Sequence, residues 1–296
     1  MDFRIGTGGM SYTNALQTNQ NKKVERQSFQ GGLEKVIQYK KLTEPQDKIE
    51  FLEKSVINKS ELNDSMDFSG MTDAEKLEKI KELNDNTDFS SMTDVEKYGI
   101  IRERYETAFP DLRARMVIGL VADSANKIPF FEINFKIRDQ YEEDMKKVGV
   151  SNTKEIYAAY KGYDKMTEEQ KWESIQKQYG NPKNGIEQIC ALSEACNAGL
   201  IDVDVFHDIC SRVRQKANHA GAESRGRDYV GEKLFTTSIG DYFGYEWLQN
   251  NKIDFNEIGT EAKQYKRFDD LQMQREFNFE VDYITYLMNA LDERED

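Results

Sequence analysis

The residues best suited to metal or nucleophilic chemistry lie in one short segment of this chain, residues 190–219. The segment contains all three cysteines and both histidines, at Cys190, Cys196, His207, Cys210 and His219. Thiolate and imidazole are the ligands that structural Zn²⁺ prefers, but neither a Cys-x-x-Cys nor a His-x-x-x-His spacing occurs. His207 and Cys210, three residues apart, are placed to share one helix face. They are weak metal candidates, and we expect no metal and no cofactor.

Nucleophilic and phosphate-binding motifs are also missing from the sequence. A Cys–His pair needs a base within hydrogen-bonding distance and a third group that orients it, and no spacing here indicates such a group. The Gly-x-Ser-x-Gly motif of serine hydrolases does not occur. The glycines at 6–9 lack the Lys-Ser or Lys-Thr pair of a phosphate-binding loop. These observations favour a non-enzymatic protein.

A basic segment, 212–233, carries the most specific binding hypothesis. It holds six cations and three anions in a chain whose net charge is −13. Its run of small residues, 217–227, predicts a loop in which amides and guanidinium groups hold an anion. Arg225, Arg227 and His219 are the candidate anion-binding or partner-binding residues. The competing interpretation is a solvated loop whose cations neutralise an acidic surface.

An enzyme or anion-binding protein is the alternative that these residues leave open. Its site would be assembled in the C-terminal half from Asp204, His207, Cys210, His219, Arg225 and Arg227. The more economical interpretation of residues 202–204 is the N-terminal cap and charge of a helix. No catalytic residue is assigned.

The composition argues against several classes of function. The chain has 54 Asp and Glu against 41 Lys and Arg, a charge that opposes binding to nucleic acid and to anionic membranes. The longest apolar run, 116–122, is far shorter than the roughly 18 residues of a membrane helix. Three cysteines do not make a disulfide framework and favour a reducing compartment. We therefore expect a soluble, cytoplasmic protein that contacts another protein, in an oligomeric state that no motif specifies.

The composition of residues 1–33, which are rich in Gly, Asn and Gln, predicts a flexible N-terminal arm. The arm has no apolar region of the kind found in cleaved signal peptides. In composition it resembles the leaders of bacterial proteins that are exported without a cleaved signal peptide, and the Asn, Lys, Tyr and Ile usage of the chain suits a bacterium of low GC content. Export by such a route is the alternative to a cytoplasmic location.

A repeated motif predicts where several helices begin. Residues 67–76 return 21 positions later as 88–97, and a third, shorter copy occupies 166–171. Each copy has a Thr followed three residues later by Glu or Gln, the pattern of a capping box. Apolar residues five and eight positions after each Thr predict one buried face, and Thr43 begins a weaker fourth copy. A structural role is favoured, and docking of a partner by the exposed Asp-Phe-Ser motifs is the alternative.

Together these patterns predict a mainly α, irregular multi-helix protein with repeated capping-box helix starts. The sequence also allows one short β segment near 130–137, because apolar and polar residues alternate there, with Phe131, Ile133, Phe135 and Ile137 at the apolar positions. Helix is favoured there, since Ile137, Tyr141 and Met145 recur at every fourth position.

The Asn-Pro breaker at 181–185 predicts a boundary between two helical regions, 34–180 and 186–296. These regions form two domains or pack together as one. Residues 186–197 and 203–216 predict a helical hairpin around Gly199. Near the C-terminus, seven apolar positions are expected to cover the core: Leu271, Phe277, Val281, Ile284, Leu287, Met288 and Leu291.

Overall fold

The computed structural model describes residues 66–122, 129–151, 154–227, 238–264 and 271–292, which all belong to one unit, Glu61–Asp296. Across these ranges the secondary structure is eleven α-helices and one 3₁₀ turn, with no β-strand. The helices are α1 (Asp73–Asp85), α2 (Asp94–Ala108), α3 (Leu112–Val121), α4 (Pro129–Lys147), α5 (Lys154–Lys161), α6 (Glu168–Tyr179), α7 (Gly185–Asn197), α8 (Val203–Ser224), α9 (Ser238–Asn250), α10 (Phe255–Lys263) and α11 (Leu271–Asp292). The mainly α prediction is confirmed. The predicted arm at 1–33 and the Thr43 helix start lie outside the described residues.

Helices α1, α2 and α6 begin at the three copies of the repeated motif. In α1, the Thr72 N–H donates to Glu75 over 2.7 Å, and the Glu75 N–H donates to the Thr72 hydroxyl over 3.3 Å. The same reciprocal pair of bonds caps α2 at Thr93 and α6 at Thr167. Each box satisfies two backbone donors that a helix start otherwise leaves unpaired. The predicted helix starts are confirmed.

The Asp-Phe-Ser part of the motif, present in the first two copies, forms the turn that leads into α1 and into α2. The Asp67 carboxylate accepts bonds from the Ser69 N–H over 2.9 Å and from its hydroxyl over 2.6 Å. Asp88 accepts a matching bond from the Ser90 N–H over 2.9 Å. The aromatic ring of Phe68 is buried in the core. The polar groups of the motif therefore bind their own backbone, which supports the structural interpretation.

The segment near 130–137 is helical, and the short β segment left open by the sequence is not formed. Within α4, Ile137, Tyr141 and Met145 are at most 2% exposed, whereas Ile133 is only half-buried. Burial thus follows the helical period of about 3.6 residues. The segment forms a helix because its stripe of apolar residues continues to Met145, beyond the end of the alternating pattern.

Helix α7 lies at the centre of the core and contacts α3, α5, α6, α8, α9 and α11. The predicted hairpin of α7 and α8 is confirmed, and its turn uses Gly199 at φ 80°, a left-handed conformation that glycine adopts without strain. All five positions expected to face inward are at most 6% exposed: Ile186, Ile189, Val205, Ile209 and Val213. Buried side chains from both sides of the 181–185 breaker join one continuous apolar cluster that runs from Met66 to Leu291.

Removing one capping hydroxyl should measurably destabilise the fold. We expect Thr93→Ala to lower the free energy of unfolding by about 1 kcal/mol, because the Glu96 N–H loses its acceptor. Urea denaturation followed by circular dichroism measures this change. The matched control is Thr260→Ala in α10, where the exposed hydroxyl only bonds the carbonyl four residues back. Equal effects of the two substitutions would contradict a stabilising role for the capping box.

Candidate functional site

The residues proposed for a C-terminal site are spread along the length of α8. Asp204, His207, Cys210 and His219 lie within the helix, Arg225 is its C-terminal cap, and Arg227 follows it. At 1.5 Å per residue, Asp204 and His219 are separated by about 22 Å along the helix axis. The fold therefore does not bring these six residues together.

The two weak metal candidates, His207 and Cys210, lie in different environments. His207 is exposed, whereas Cys210 is 1% exposed in the core. Burial raises the pKa of the Cys210 thiol well above its ordinary value and raises the pKa of Cys190 to about 12. Since the thiolate is the reactive and ligating form, both cysteines are poor nucleophiles and poor ligands at neutral pH. Across the described ranges, no group of three His, Cys, Asp or Glu residues is arranged to hold a metal ion.

The small-residue run expected to be a loop is helical, so that expectation is wrong. Residues 217–224 are the last two turns of α8, and α9 crosses them at close range. A side chain at Gly221 would overlap the Phe243 carbonyl, and one at Gly244 would overlap Asn218. Small residues at these positions allow the two backbones to approach, which is the physical reason for the run.

A buried ion pair stabilises the crossing of α8 and α9. Asp241 on α9 is fully buried and accepts two bonds from the Arg214 guanidinium, over 2.7 and 2.9 Å. The Asn218 amide donates a third bond to the same carboxylate over 2.9 Å. The sequence contains a signal for this contact, since small residues recur at a spacing of four on both helices, as Ala217 and Gly221 on α8 and as Gly240 and Gly244 on α9. That spacing is typical of close helix–helix contacts.

Two of the three predicted anion ligands lie next to carboxylates. Arg225 forms an ion pair with Glu246, and its guanidinium lies over the Phe243 ring at 4.8 Å from the ring centre. His219 lies 3.2 Å from Glu223, one helical turn further along α8. Arg227 is exposed just beyond the end of the helix. Arg225 thus joins α8 to α9.

His219 lies at the rim of a cleft of about 230 Å³ between α8, α9 and the start of α10. Val213, Trp247 and Ile253 supply apolar walls. The rim cation Lys216 lies 3.0 Å from Glu261 and also pairs with Glu257. Because its lysine is neutralised by two carboxylates, this cleft is a poor receptor for an anion.

A buried polar cluster around Glu194 was missed by the sequence interpretation. Glu194 is 0% exposed on α7 and forms an ion pair with Arg113 of α3. It also accepts bonds from the Tyr157 hydroxyl over 2.6 Å and the Tyr163 hydroxyl over 2.7 Å. The guanidinium groups of Arg113 and Arg102 lie over the Tyr157 ring at 5.4 and 5.3 Å. The available signal was an acidic residue within residues 189–196 of α7, where every other position except one Ser is Ile, Cys, Ala or Leu.

In this cluster the Glu194 carboxylate is enclosed by its ion-pair and hydrogen-bond partners. Burial raises the pKa of Tyr163 to about 12 and raises that of Tyr157 further, so both phenols keep their protons and donate to Glu194. The carboxylate is thereby surrounded by donors from three other elements. A second buried carboxylate, Asp144, is similarly bound by the Tyr105 hydroxyl and the Asn84 amide, each over 2.8 Å. Both clusters serve to join helices.

The surface of α11 differs from that of the other described helices. Of the six large apolar side chains that are exposed in the described ranges, four belong to α11: Leu271, Met273, Phe279 and Tyr286. Six of the seven positions expected to cover the core are buried, but Leu271 is 71% exposed, so that expectation is wrong for Leu271. Its position in the first turn of α11 places it away from the stripe that begins at Phe277.

Phe279 and Tyr286 lie on the outer face of α11, opposite the buried stripe. Phe279, Tyr283, Tyr286 and Ala290 follow one another at spacings of four, three and four residues. Phe279 is 37% and Tyr286 40% exposed, while Tyr283 and Ala290 are half-buried. We call these four residues the outer stripe of α11. The helix thus presents apolar groups on two faces.

No helix in the described ranges is both long enough and apolar enough to span a membrane. No family model, no curated protein and no solved structure matches this chain.

Replacing Glu194 by Gln should strongly destabilise the protein. The substitution leaves the Arg113 guanidinium buried without its counter-charge, and we expect a loss of about 3–5 kcal/mol in the free energy of unfolding. Urea denaturation measures the loss. The control is Glu173→Gln on the exposed side of α6, for which we expect a change within about 0.5 kcal/mol. A mild effect at Glu194, similar to that at Glu173, would show that the ion pair does not stabilise the core.

Stability should decrease in alkaline solution. Burial raises the pKa values of Cys190, Tyr160 and Tyr163 to about 12 in the folded protein. In the unfolded chain these groups lose their protons near their ordinary pKa values, about 8.5 for Cys and 10 for Tyr. Between roughly pH 9 and 12 the unfolded state therefore binds fewer protons, and the free energy of unfolding falls as the pH rises.

Urea denaturation at about pH 8 and pH 10.5 tests this dependence. Cys190→Ala removes one of the titrating groups, so its stability should fall less steeply over the same interval. A free energy of unfolding that stays constant or rises between the two pH values would contradict the prediction.

Proposed function

We propose that this chain is a non-enzymatic protein that binds another protein through the outer stripe of α11. The observation that supports the proposal is the concentration of exposed apolar side chains on this one helix. Contiguous exposed apolar groups are typical of interaction surfaces, and tyrosine is among the residues that contribute most to binding energy. Phe279 and Tyr286 would form the centre of such a surface.

The stripe has a rigid support. On the opposite side of α11, Phe277, Val281 and Ile284 are at most 4% exposed. On the flank that faces α10, the Asn289 amide donates to Asn256 over 2.8 Å, and Lys263 pairs with Asp282. Because the helix is already held in place, little conformational entropy is lost when a partner binds.

The charge of the chain favours a partner that is neither a nucleic acid nor a second copy. A net charge of −13 repels both at long range. We infer a cytoplasmic location, which agrees with three buried cysteines that form no disulfide. A different protein is the remaining class of macromolecule that the surface suits.

Affinity capture from a lysate of the native host, with quantitative mass spectrometry, tests the proposal. We expect the double variant Phe279→Ser, Tyr286→Ser to recover at least tenfold less of the partner than the wild-type protein. The matched control is Val203→Ser, Ile239→Ser, which removes two exposed apolar side chains from α8 and α9. Thermal unfolding confirms that both variants are folded.

Purified partner should then reproduce the same ranking of affinities by isothermal titration calorimetry. A partner that binds all three proteins equally would contradict the proposal. Recovery of no protein above the background of an unrelated acidic bait would also contradict it.

A further inference from the structure

We infer that the partner inserts an amphipathic helix with a basic flank along the outer stripe of α11. This inference rests on the proposed function and specifies the partner that the same surface takes. Spacings of four, three and four residues place Phe279, Tyr283, Tyr286 and Ala290 along a nearly straight line on the helix. This is the spacing by which one helix packs lengthwise against another.

The dimensions of the stripe also suit a helix. From Phe279 to Ala290 it extends about 16 Å, which corresponds to three turns. An extended peptide would need the unpaired backbone groups of a sheet edge to bind by strand addition. The described ranges contain no strand, so they offer no such edge. Side-chain packing along α11 is the mode of recognition that this geometry allows.

Charges beside the stripe indicate the sign of the partner. Glu276 and Glu280 lie along one flank, one helical turn apart, and both are half-buried. Over its whole length α11 carries four acidic residues, of which Asp282 and Asp292 pair with Lys263 and Lys252, and one basic residue, Arg275. In paired helices the positions that flank the apolar seam select the partner by charge. Lysine or arginine on the facing flank of the partner would complement this edge.

A second copy of α11 would not provide that complement. In an antiparallel pair of helices, each flank faces the same flank of the other helix. Pairing centred on the outer stripe would place Glu276 and Glu280 near Asn289 and Asp292 of the other copy, which offer no cation, and two chains of net charge −13 repel each other at long range. The same charges favour a basic helix.

Two designed peptides test the inference by isothermal titration calorimetry with the full chain. Both are about three heptads long and have Leu at the a and d positions, and they differ only in Lys or Glu at the e and g positions. We expect the Lys peptide to bind at least tenfold more tightly than the Glu peptide, with a smaller difference at high salt. Equal affinity for the two peptides would overturn the inference.

Matched variants separate the flank of α11 from general attraction to an acidic protein. Glu276→Gln with Glu280→Gln should weaken the Lys peptide at least threefold. Glu78→Gln with Glu82→Gln changes the net charge equally at exposed positions on α1 and should have little effect. The Phe279→Ser, Tyr286→Ser variant should weaken the peptide at least tenfold. Equal effects of the two glutamine pairs, or no effect of the serine pair, would overturn the inference.

The two proposals fail in distinguishable ways. If a captured host protein depends on Phe279 and Tyr286 but binds through a neutral or acidic segment, the proposed function stands and the basic helix is wrong. If the captured protein does not depend on those residues, both are wrong. Binding of the captured protein through a basic amphipathic helix, mapped by crosslinking to α11, would support both.

Discussion

The buried ion pair between Glu194 and Arg113 is the constraint on which the rest of the core depends. A carboxylate in an apolar interior is tolerated only when donors surround it, because its desolvation costs several kcal/mol. The donors come from α3, from Tyr157 of α5 and from Tyr163 of the 3₁₀ turn. Those elements must therefore meet at α7. Since α7 also contacts α6, α8, α9 and α11, the position of one carboxylate constrains most of the fold.

The same solution recurs at two other places. Asp144 joins α4 to α1 and α2, and Asp241 joins α9 to α8 through Arg214 and Asn218. In all three clusters, a buried carboxylate is held by donors from neighbouring helices. This use of buried charge differs from that of an active site, where a donor or acceptor remains available to a substrate. The buried carboxylates therefore join the helices, and the exposed side chains of α11 form the surface that we propose for binding.

The features assigned to binding lie on the outside of this framework. Interior positions of α11 fasten it to the core, while its outer stripe leaves Phe279 and Tyr286 partly in contact with water. On one flank of α11, Glu276 and Glu280 place negative charge at the edge of the outer stripe, in a chain that is acidic as a whole. An apolar centre with a charged border is the usual anatomy of a protein interface. The proposed partner, a basic amphipathic helix, is the counterpart of that arrangement.

The amino-acid sequence by itself determined the features that depend on neighbours a few residues away. Thr72 and Glu75, three positions apart, are sufficient to specify a capping box, and Gly199 similarly marks the turn of the α7–α8 hairpin. Tertiary structure alone decided which carboxylates are buried, because the donors to Glu194 lie 31 to 81 residues away along the chain. It also decided that residues 217–224 are helical at a close crossing and that Leu271 is exposed. Periodicity identifies an apolar face, but burial depends on whether another element covers it, and that information is not local.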